Sequence, residues 1–213
     1  MTRSPPGASA DTAKGTTHKR RSTHRYAAHH GHSMSELLVT LGIISLLTSL
    51  ALPAMASLVR GSQSASLINS LIAASMLARS TAISQHTSVV LCGKQNTGCG
   101  KDWQAGAIVF TDTNNNRQLE TDQGDTLIAE LDSPPIGSQL VMKAALGKQY
   151  LRFMPNGMLE NTAGSLQLCS AGNDPRHARI LIFNRSGRFR LGTDTNRDGV
   201  QEDANRQPLR CPL

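Results

Sequence analysis

Residues 37–59 read LLVTLGIISLLTSLALPAMASLV, a run of 23 residues without a charged side chain. A helix of about 20 residues crosses the roughly 30 Å hydrocarbon core of a bilayer, so this run predicts one membrane span. The apolar region of a cleaved secretory signal is shorter, about 7 to 15 residues. The length of the run and the presence of Pro53 within it favour a span that is retained in the mature protein.

Positive charge is concentrated ahead of this run. The chain has 22 Lys and Arg against 15 Asp and Glu, a net charge of +7, and residues 1–31 supply six of the basic and one of the acidic side chains. The positive-inside bias therefore places residues 1–31 in the cytoplasm and the chain beyond residue 60 on the other side of the membrane. The remaining +2 is too small to indicate a nucleic-acid-binding domain by itself. A single apolar run excludes a polytopic membrane protein.

One carboxylate, Glu36, lies at the start of the apolar run. At membrane depth a carboxylate costs about 2.5 to 3.5 kcal/mol, so it either has a partner there or lies in the headgroup layer. Gly31, Glu36 and Pro53 together resemble a class III prepilin signal, in which a dedicated peptidase cuts after the glycine. After a cut there, Glu36 is the fifth residue and Pro53 the twenty-second. These are the positions at which type IV pilins commonly have a glutamate and a proline.

The prepilin resemblance implies cleavage between Gly31 and His32 and N-methylation of the new amine. His32 departs from the family, which usually has Phe or Met at this position. In such filaments the free amine of one subunit is thought to neutralise the glutamate of a neighbour. Glu36 and Pro53 are therefore the expected assembly residues.

The pattern beyond the span predicts an α+β protein with a long N-terminal helix over residues 32–87 and a β-rich head over residues 88–213. Apolar residues recur at steps of three and four up to residue 87, with a kink or local melting expected at Pro53 and Gly61. Short β-type runs separated by turn residues follow, and they predict an antiparallel head. Asn-Gly at residues 156–157 and Asn-Arg-Ser-Gly at residues 184–187 predict hairpin connections. The runs cover residues 88–92, 107–111, 126–131, 139–143, 150–154, 166–169, 179–183 and 188–191.

Four cysteines lie in the exported part: Cys92, Cys99, Cys169 and Cys211. An even number in an oxidising compartment predicts disulfides. Three pairings are possible; joining Cys92 to Cys99 closes a small turn and leaves Cys169 for Cys211. The alternative is a zinc site. The C-x6-C spacing of Cys92 and Cys99, with no pair of histidines close by in sequence, does not favour it.

The head resembles the FimT/GspH family over roughly residues 34–213. The resemblance rests on Cys92 and Cys99 ahead of a W-x2-G-x2-V-F-T-D motif at residues 103–112, an Asn-rich turn and a late G-R-x-R segment. The family includes the minor pseudopilin H of type II secretion systems and the minor pilin FimT of type IV pili. It implies a filament subunit in the inner membrane with a periplasmic head, which reaches the cell surface after assembly. Its implied partners are other pilin subunits, the prepilin peptidase and the membrane.

The late segment from Gly187 to Arg190 distinguishes two functional hypotheses. Strand alternation places Arg188 and Arg190 on one face, about 6.8 Å apart, and turns Phe189 and Leu191 toward the core. Guanidinium groups suit phosphate oxygens, and in the FimT-like branch a G-R-x-R motif is associated with binding DNA during natural transformation. The alternative is a solvated face whose arginines pair with nearby aspartates, in a type II secretion pseudopilin that does not bind DNA. The candidate sequence-independent site for double-stranded DNA comprises Gly187, Arg188, Arg190, Arg185, Arg179 and Arg176.

Other motifs are weaker. Residues 194–199 match the start of a calcium loop, but position twelve is Asn205 rather than the bidentate Glu, and residues 112–116 are a fainter version. Turns rich in Asn and Asp are the commoner explanation of both. No G-x-S-x-G, P-loop or H-E-x-x-H motif is present, so we expect neither an enzyme nor a cofactor.

Overall fold

A computed structural model of the protein describes residues 33–96 and 98–211. The chain divides into two units, Met1–Ser45 and Leu46–Leu213. The described part of the first unit is the beginning of helix α1, which runs without interruption over Met34–Gln85. It is long and apolar enough to cross a membrane, and every side chain from residue 33 to residue 56 is exposed. Helix α1 continues through Pro53 and Gly61, so the local melting expected there is absent.

The second unit packs the rest of α1 against two antiparallel sheets. Side chains on one face of the helix, at spacings of three and four residues, are buried: Ser64, Ile68, Leu71, Ala74, Ser75, Ala78 and Ala82. They join a core that both sheets share, with Trp103, Phe153 and Leu181 among its buried members. The small residues on this face allow the helix to approach the sheets closely.

The first sheet has β1 (Val89–Gln95) at its centre. One side of β1 pairs with β3 (Ala107–Thr111), which pairs in turn with β4 (Leu127–Leu131). The other side pairs with β2 (Gly98–Gly100) and, further along, with β6 (Tyr150–Phe153). All of these pairings are antiparallel, as the sequence predicts.

The second sheet has the order β5–β7–β8–β9. Its strands are β5 (Gln139–Ala144), β7 (Gly164–Cys169), β8 (Arg179–Phe183) and β9 (Phe189–Leu191). Strands β5 and β9 are therefore its two edges. A long N-terminal helix followed by an antiparallel β head confirms the predicted fold class.

Two disulfides fasten the head. Cys92 is joined to Cys99 and Cys169 to Cys211. The first closes the β1–β2 hairpin, and the second ties the C-terminal segment to the end of β7. The C-terminal segment is also held by a hydrogen bond of 2.9 Å that the side-chain amide of Gln167 donates to the carbonyl oxygen of Arg210.

Candidate functional site

The predicted cleavage site, Gly31 and His32, lies outside the described residues. Glu36 lies in the first turn of α1, where its backbone N–H donates to the hydroxyl oxygen of Ser33 at 3.2 Å. Ser33 and Glu36 have the spacing of a helix capping box, a local role for both that the sequence signal S-x-x-E could have revealed. The helix dipole favours a carboxylate at this end. Pro53 lies inside the helix, and the assembly roles of Glu36 and Pro53 stay predictions.

Three of the candidate DNA-binding arginines, Arg185, Arg188 and Arg190, lie in or next to the hairpin that joins β8 to β9, whereas Arg176 and Arg179 lie at the other end of β8. The side-chain oxygen of Asn184 accepts hydrogen bonds from the hydroxyl of Ser186 at 2.7 Å and from the backbone N–H of Arg188 at 3.2 Å. The N–H of Gly187 donates to the carbonyl oxygen of Asn184 at 3.0 Å. These contacts make a tight, ordered turn, as the Asn-Arg-Ser-Gly sequence predicts.

Gly187 has a packing role. Its φ is +71°, and a Cβ atom there would lie 2.5 Å from the carbonyl oxygen of Gly157. Only glycine satisfies both conditions without displacing the neighbouring Asn156-Gly157 turn. The carbonyl oxygen of Gly187 also accepts a hydrogen bond of 2.8 Å from the guanidinium of Arg79 in α1.

The five candidate arginines fall into two groups. Arg176 donates to the carboxylate of Asp174 at 2.8 Å, and these hydrogen bonds lower the pKa of Asp174 to about 2. Arg179 donates to the carbonyl oxygens of Arg176 and Ala178. Both guanidiniums are therefore engaged within the chain.

The other three are available. Arg185, Arg188 and Arg190 are exposed, and none of their guanidinium groups has a hydrogen-bond or ion-pair partner among residues 33–96 and 98–211. The nearby aspartates, Asp194 and Asp198, accept hydrogen bonds from backbone N–H groups of their own loop instead.

Strand β9 departs from the simple alternation predicted for it. Phe189 packs inward, with its ring centroid 6.1 Å from that of Phe153 and 5.9 Å from that of Phe183. The prediction that Leu191 also points to the core is wrong, because its side chain is 41% exposed. β9 is a three-residue edge strand, so its last residue extends beyond the layer that would cover it.

The W-x2-G-x2-V-F-T-D motif serves the core. Trp103 is buried, and its indole N–H donates to the carbonyl oxygen of Gln149 at 3.2 Å. Gly106 has φ +94°, and a Cβ atom there would lie 2.3 Å from the carbonyl oxygen of Leu131. The final Asp112 is fully buried and forms an ion pair of 3.0 Å with Arg152.

This ion pair belongs to a network that sequence reasoning missed. Besides Asp112, the guanidinium of Arg152 contacts the carboxylate of Glu160 at 3.2 Å and the carbonyl oxygen of Asn115 at 2.9 Å. Glu160 also pairs with Lys148 at 3.1 Å. Burial opposes ionisation of Glu160, but the hydrogen bond from Lys148 and the charge of Arg152 outweigh it and lower the pKa of that carboxyl.

The network explains the fainter calcium-loop motif at residues 112–116. Arg152 donates to one carboxylate oxygen of Asp112 and to the carbonyl oxygen of Asn115, so contacts within the chain account for these polar groups. No cluster of three or more His, Cys, Asp or Glu side chains able to hold a metal occurs among the described residues.

The chain matches one family model over residues 67–203, more than half of its length; that family is described as type II transport protein GspH. Solved structures give weaker similarity. The type IV minor pilin FimU of Pseudomonas aeruginosa is 21% identical with a TM-score of 0.47, covering 60% of this chain and 87% of that one. The minor pseudopilin EpsH of the Vibrio cholerae type 2 secretion system is 17% identical with a TM-score of 0.41, covering 58% and 90%. No curated protein matches the chain significantly.

Proposed function

Since this chain belongs to the GspH family of minor pilins and pseudopilins, we propose that it is a minor subunit of a type IV pilus whose β8–β9 hairpin binds double-stranded DNA during uptake. The observation that supports DNA binding is the exposure of Arg185, Arg188 and Arg190, which have no acidic partner within the described residues. Phosphate contacts by such side chains carry no sequence information. Binding is therefore independent of sequence and depends strongly on salt.

The rest of the proposed pathway follows from the N-terminal segment. The prepilin peptidase cuts after Gly31, His32 becomes the first residue, and its amine is methylated. Residues 37–59 anchor the subunit in the inner membrane with the head in the periplasm. The amine of one subunit then neutralises Glu36 of its neighbour as the filament assembles. The subunit is a structural component of the filament and has no catalytic role.

Electrophoretic retardation of a sequence-random duplex by the mature chain, residues 32–213, in non-ionic detergent tests the DNA proposal without the six basic side chains of residues 1–31. We expect Arg188→Ala and Arg190→Ala each to weaken retardation. Lys143→Ala is the matched control, because Lys143 is an exposed cation on β5, the opposite edge of the same sheet. If Lys143→Ala weakens retardation as much as the arginine variants do, net charge alone explains the loss of DNA binding. That result would reject the hairpin as the site.

A second candidate is a pseudopilin of a type II secretion system that does not bind DNA. The description of the matching family as a type II transport protein favours it. Gene deletion separates the two. Loss of DNA uptake with intact protein secretion supports the pilus subunit, and the reverse supports the pseudopilin.

A further inference from the structure

A groove of about 970 Å³ lies beside the β1–β2 hairpin of the head. None of its lining residues belongs to the β8–β9 hairpin. Four different segments contribute a basic side chain to its lining: Lys94, Lys101, Arg117 and Lys148. Among the described residues, Asp102 is the one acidic residue in the lining, and its carboxylate already accepts the backbone N–H of Gln104 at 2.8 Å. The lining of the groove is therefore predominantly cationic.

Half of these cations have no acidic partner. Lys94 pairs with Glu130, and Lys148 pairs with Glu160 at 3.1 Å. Lys101 and Arg117 are exposed and have no ion pair within the described ranges 33–96 and 98–211. Two positive charges thus remain for a ligand from outside the chain.

Tyr150 organises one side of the groove. The guanidinium carbon of Arg117 lies 5.0 Å from its ring centroid and the ammonium nitrogen of Lys148 lies 5.4 Å from it. The guanidinium carbon of Arg152 lies 5.5 Å from the same centroid. Cation–π contacts at these distances fix the cations and occupy the ring. Tyr150 is consequently a poor platform for a stacked nucleobase, although stacking is the usual means of holding a single nucleic-acid strand.

An apolar side chain stands at the rim of the same groove. Leu146 is 84% exposed, and its φ of +61° is a conformation that a leucine adopts at a cost. Gly147, next to it, also has a positive φ of +64°. The fold therefore holds an isolated apolar side chain in water beside the unpaired cations. A phosphate backbone would contact the cations but not the apolar side chain. A protein segment that combines carboxylates with an apolar residue would contact both.

We propose that this groove binds an acidic segment of another protein, with carboxylates on Lys101 and Arg117 and an apolar side chain against Leu146. The proposal does not depend on DNA binding by the β8–β9 hairpin, because the two sites share no residue. The Cys92–Cys99 disulfide closes the hairpin that supplies Lys94, so this wall of the groove is pre-formed. Pre-formation lowers the ordering cost of binding.

The test uses the mature chain, residues 32–213, in non-ionic detergent. Binding of a fluorescent peptide of sequence Glu-Glu-Leu-Glu-Glu is measured by anisotropy. Peptides with Gln in place of every Glu, or with Ser in place of Leu, are the ligand controls. We expect Lys101→Gln and Arg117→Gln to weaken binding of the Glu peptide by roughly 1.5- to 5-fold each, the range of exposed ion pairs. Lys143→Gln, a cation outside this groove, is expected to leave binding unchanged.

Leu146→Asn separates a binding role from a structural one. Asparagine adopts a left-handed backbone more readily than leucine, so the melting temperature is expected to hold or rise while peptide binding falls. Unchanged binding by this variant would contradict the proposed apolar contact. Equal affinity for the Gln peptide, or no effect of Lys101→Gln and Arg117→Gln, would overturn the proposal. Binding of short DNA through the same two cations, without peptide binding, would assign the groove to nucleic acid and overturn it as well.

Discussion

The guanidinium of Arg79, in helix α1, donates a hydrogen bond of 2.8 Å to the carbonyl oxygen of Gly187, 108 residues later in the chain. A Cβ atom on Gly157 would lie 3.1 Å from the Nε of Arg79, so the helix arginine lies close to both turns. The hairpin that carries the candidate DNA-binding arginines is thus fixed to the buried helix. The arginine side chains therefore project from a turn that is held against the helix.

Substitution of Gly187 tests this anchoring. Gly187→Ala places a Cβ atom 2.5 Å from the carbonyl oxygen of Gly157 at a φ of +71°. We expect a loss of about 1 to 3 kcal/mol in the free energy of unfolding, the range of local backbone strain, measured by thermal unfolding in detergent. Gly172→Ala is the control, because that glycine also has a positive φ but nothing lies within 4 Å of its Cβ position. Equal costs for both variants would show that the contact with Gly157 is unimportant.

The buried ion pair between Asp112 and Arg152 is the most sensitive polar contact in the head. Their side chains are 0% and 8% exposed. Removing one partner leaves a buried charge, so Arg152→Met is expected to cost about 3 to 5 kcal/mol. The exposed pair of Lys94 and Glu130 is the comparison, and Lys94→Met is expected to cost at most about 1 kcal/mol. Chemical denaturation measures both, and similar values would contradict the buried character of the network.

The two disulfides are expected to stabilise the head unequally. Cys92 and Cys99 are separated by 7 residues, and Cys169 and Cys211 by 42. By the loss of loop-closure entropy in the unfolded chain, the short loop is expected to add about 2.5 kcal/mol to the free energy of unfolding and the long one about 4 kcal/mol. Guanidinium unfolding of the two double Cys→Ser variants checks this order. A larger loss for the Cys92 and Cys99 variant would show that native packing, rather than loop length, decides.

Ionisation of Glu160 is expected to make the stability of the folded head depend on pH. Its pKa is lowered in the folded protein, so the ionised carboxylate stabilises the fold above its usual value of 4.5, and this contribution is lost as the pH falls through the lowered folded value. The melting temperature of the wild-type chain is expected to exceed that of Glu160→Gln at pH 7. The difference is expected to shrink steadily below pH 4.5. A difference that stays constant down to pH 2 would contradict the assignment.

Local patterns predicted most of the fold. The run at residues 107–111 coincides with β3, and the turn sequences at residues 156–157 and 184–187 form turns where expected. Residues two apart in a strand, and three or four apart in a helix, lie on the same face of the element. Burial of one face is therefore visible as a repeat in the sequence. The short strand β2 was not predicted, since Gly-Cys-Gly has no apolar pattern of its own.

Long-range polar contacts could not be predicted in the same way. Arg152 and Asp112 are 40 residues apart, and nothing local marks them as a buried pair. Likewise, Gly187 belonged to the predicted DNA site by its motif, whereas the neighbour that requires a glycine is Gly157 in another turn. Arg176 was grouped with Arg188 by proximity in sequence, but Asp174 neutralises it locally.

The salt dependence of DNA binding by the mature chain, residues 32–213, measures the proposed function most directly, because the six basic side chains of residues 1–31 are then absent. Three phosphate contacts, from Arg185, Arg188 and Arg190, predict a slope of log K against log salt of about −2.7, and the Arg188→Ala/Arg190→Ala variant a slope of about −0.9. Fluorescence anisotropy between about 50 and 200 mM salt gives both slopes. A wild-type slope near −2.7 that falls by about two units in the variant supports the hairpin as the DNA site. Identical slopes for the two chains would contradict it.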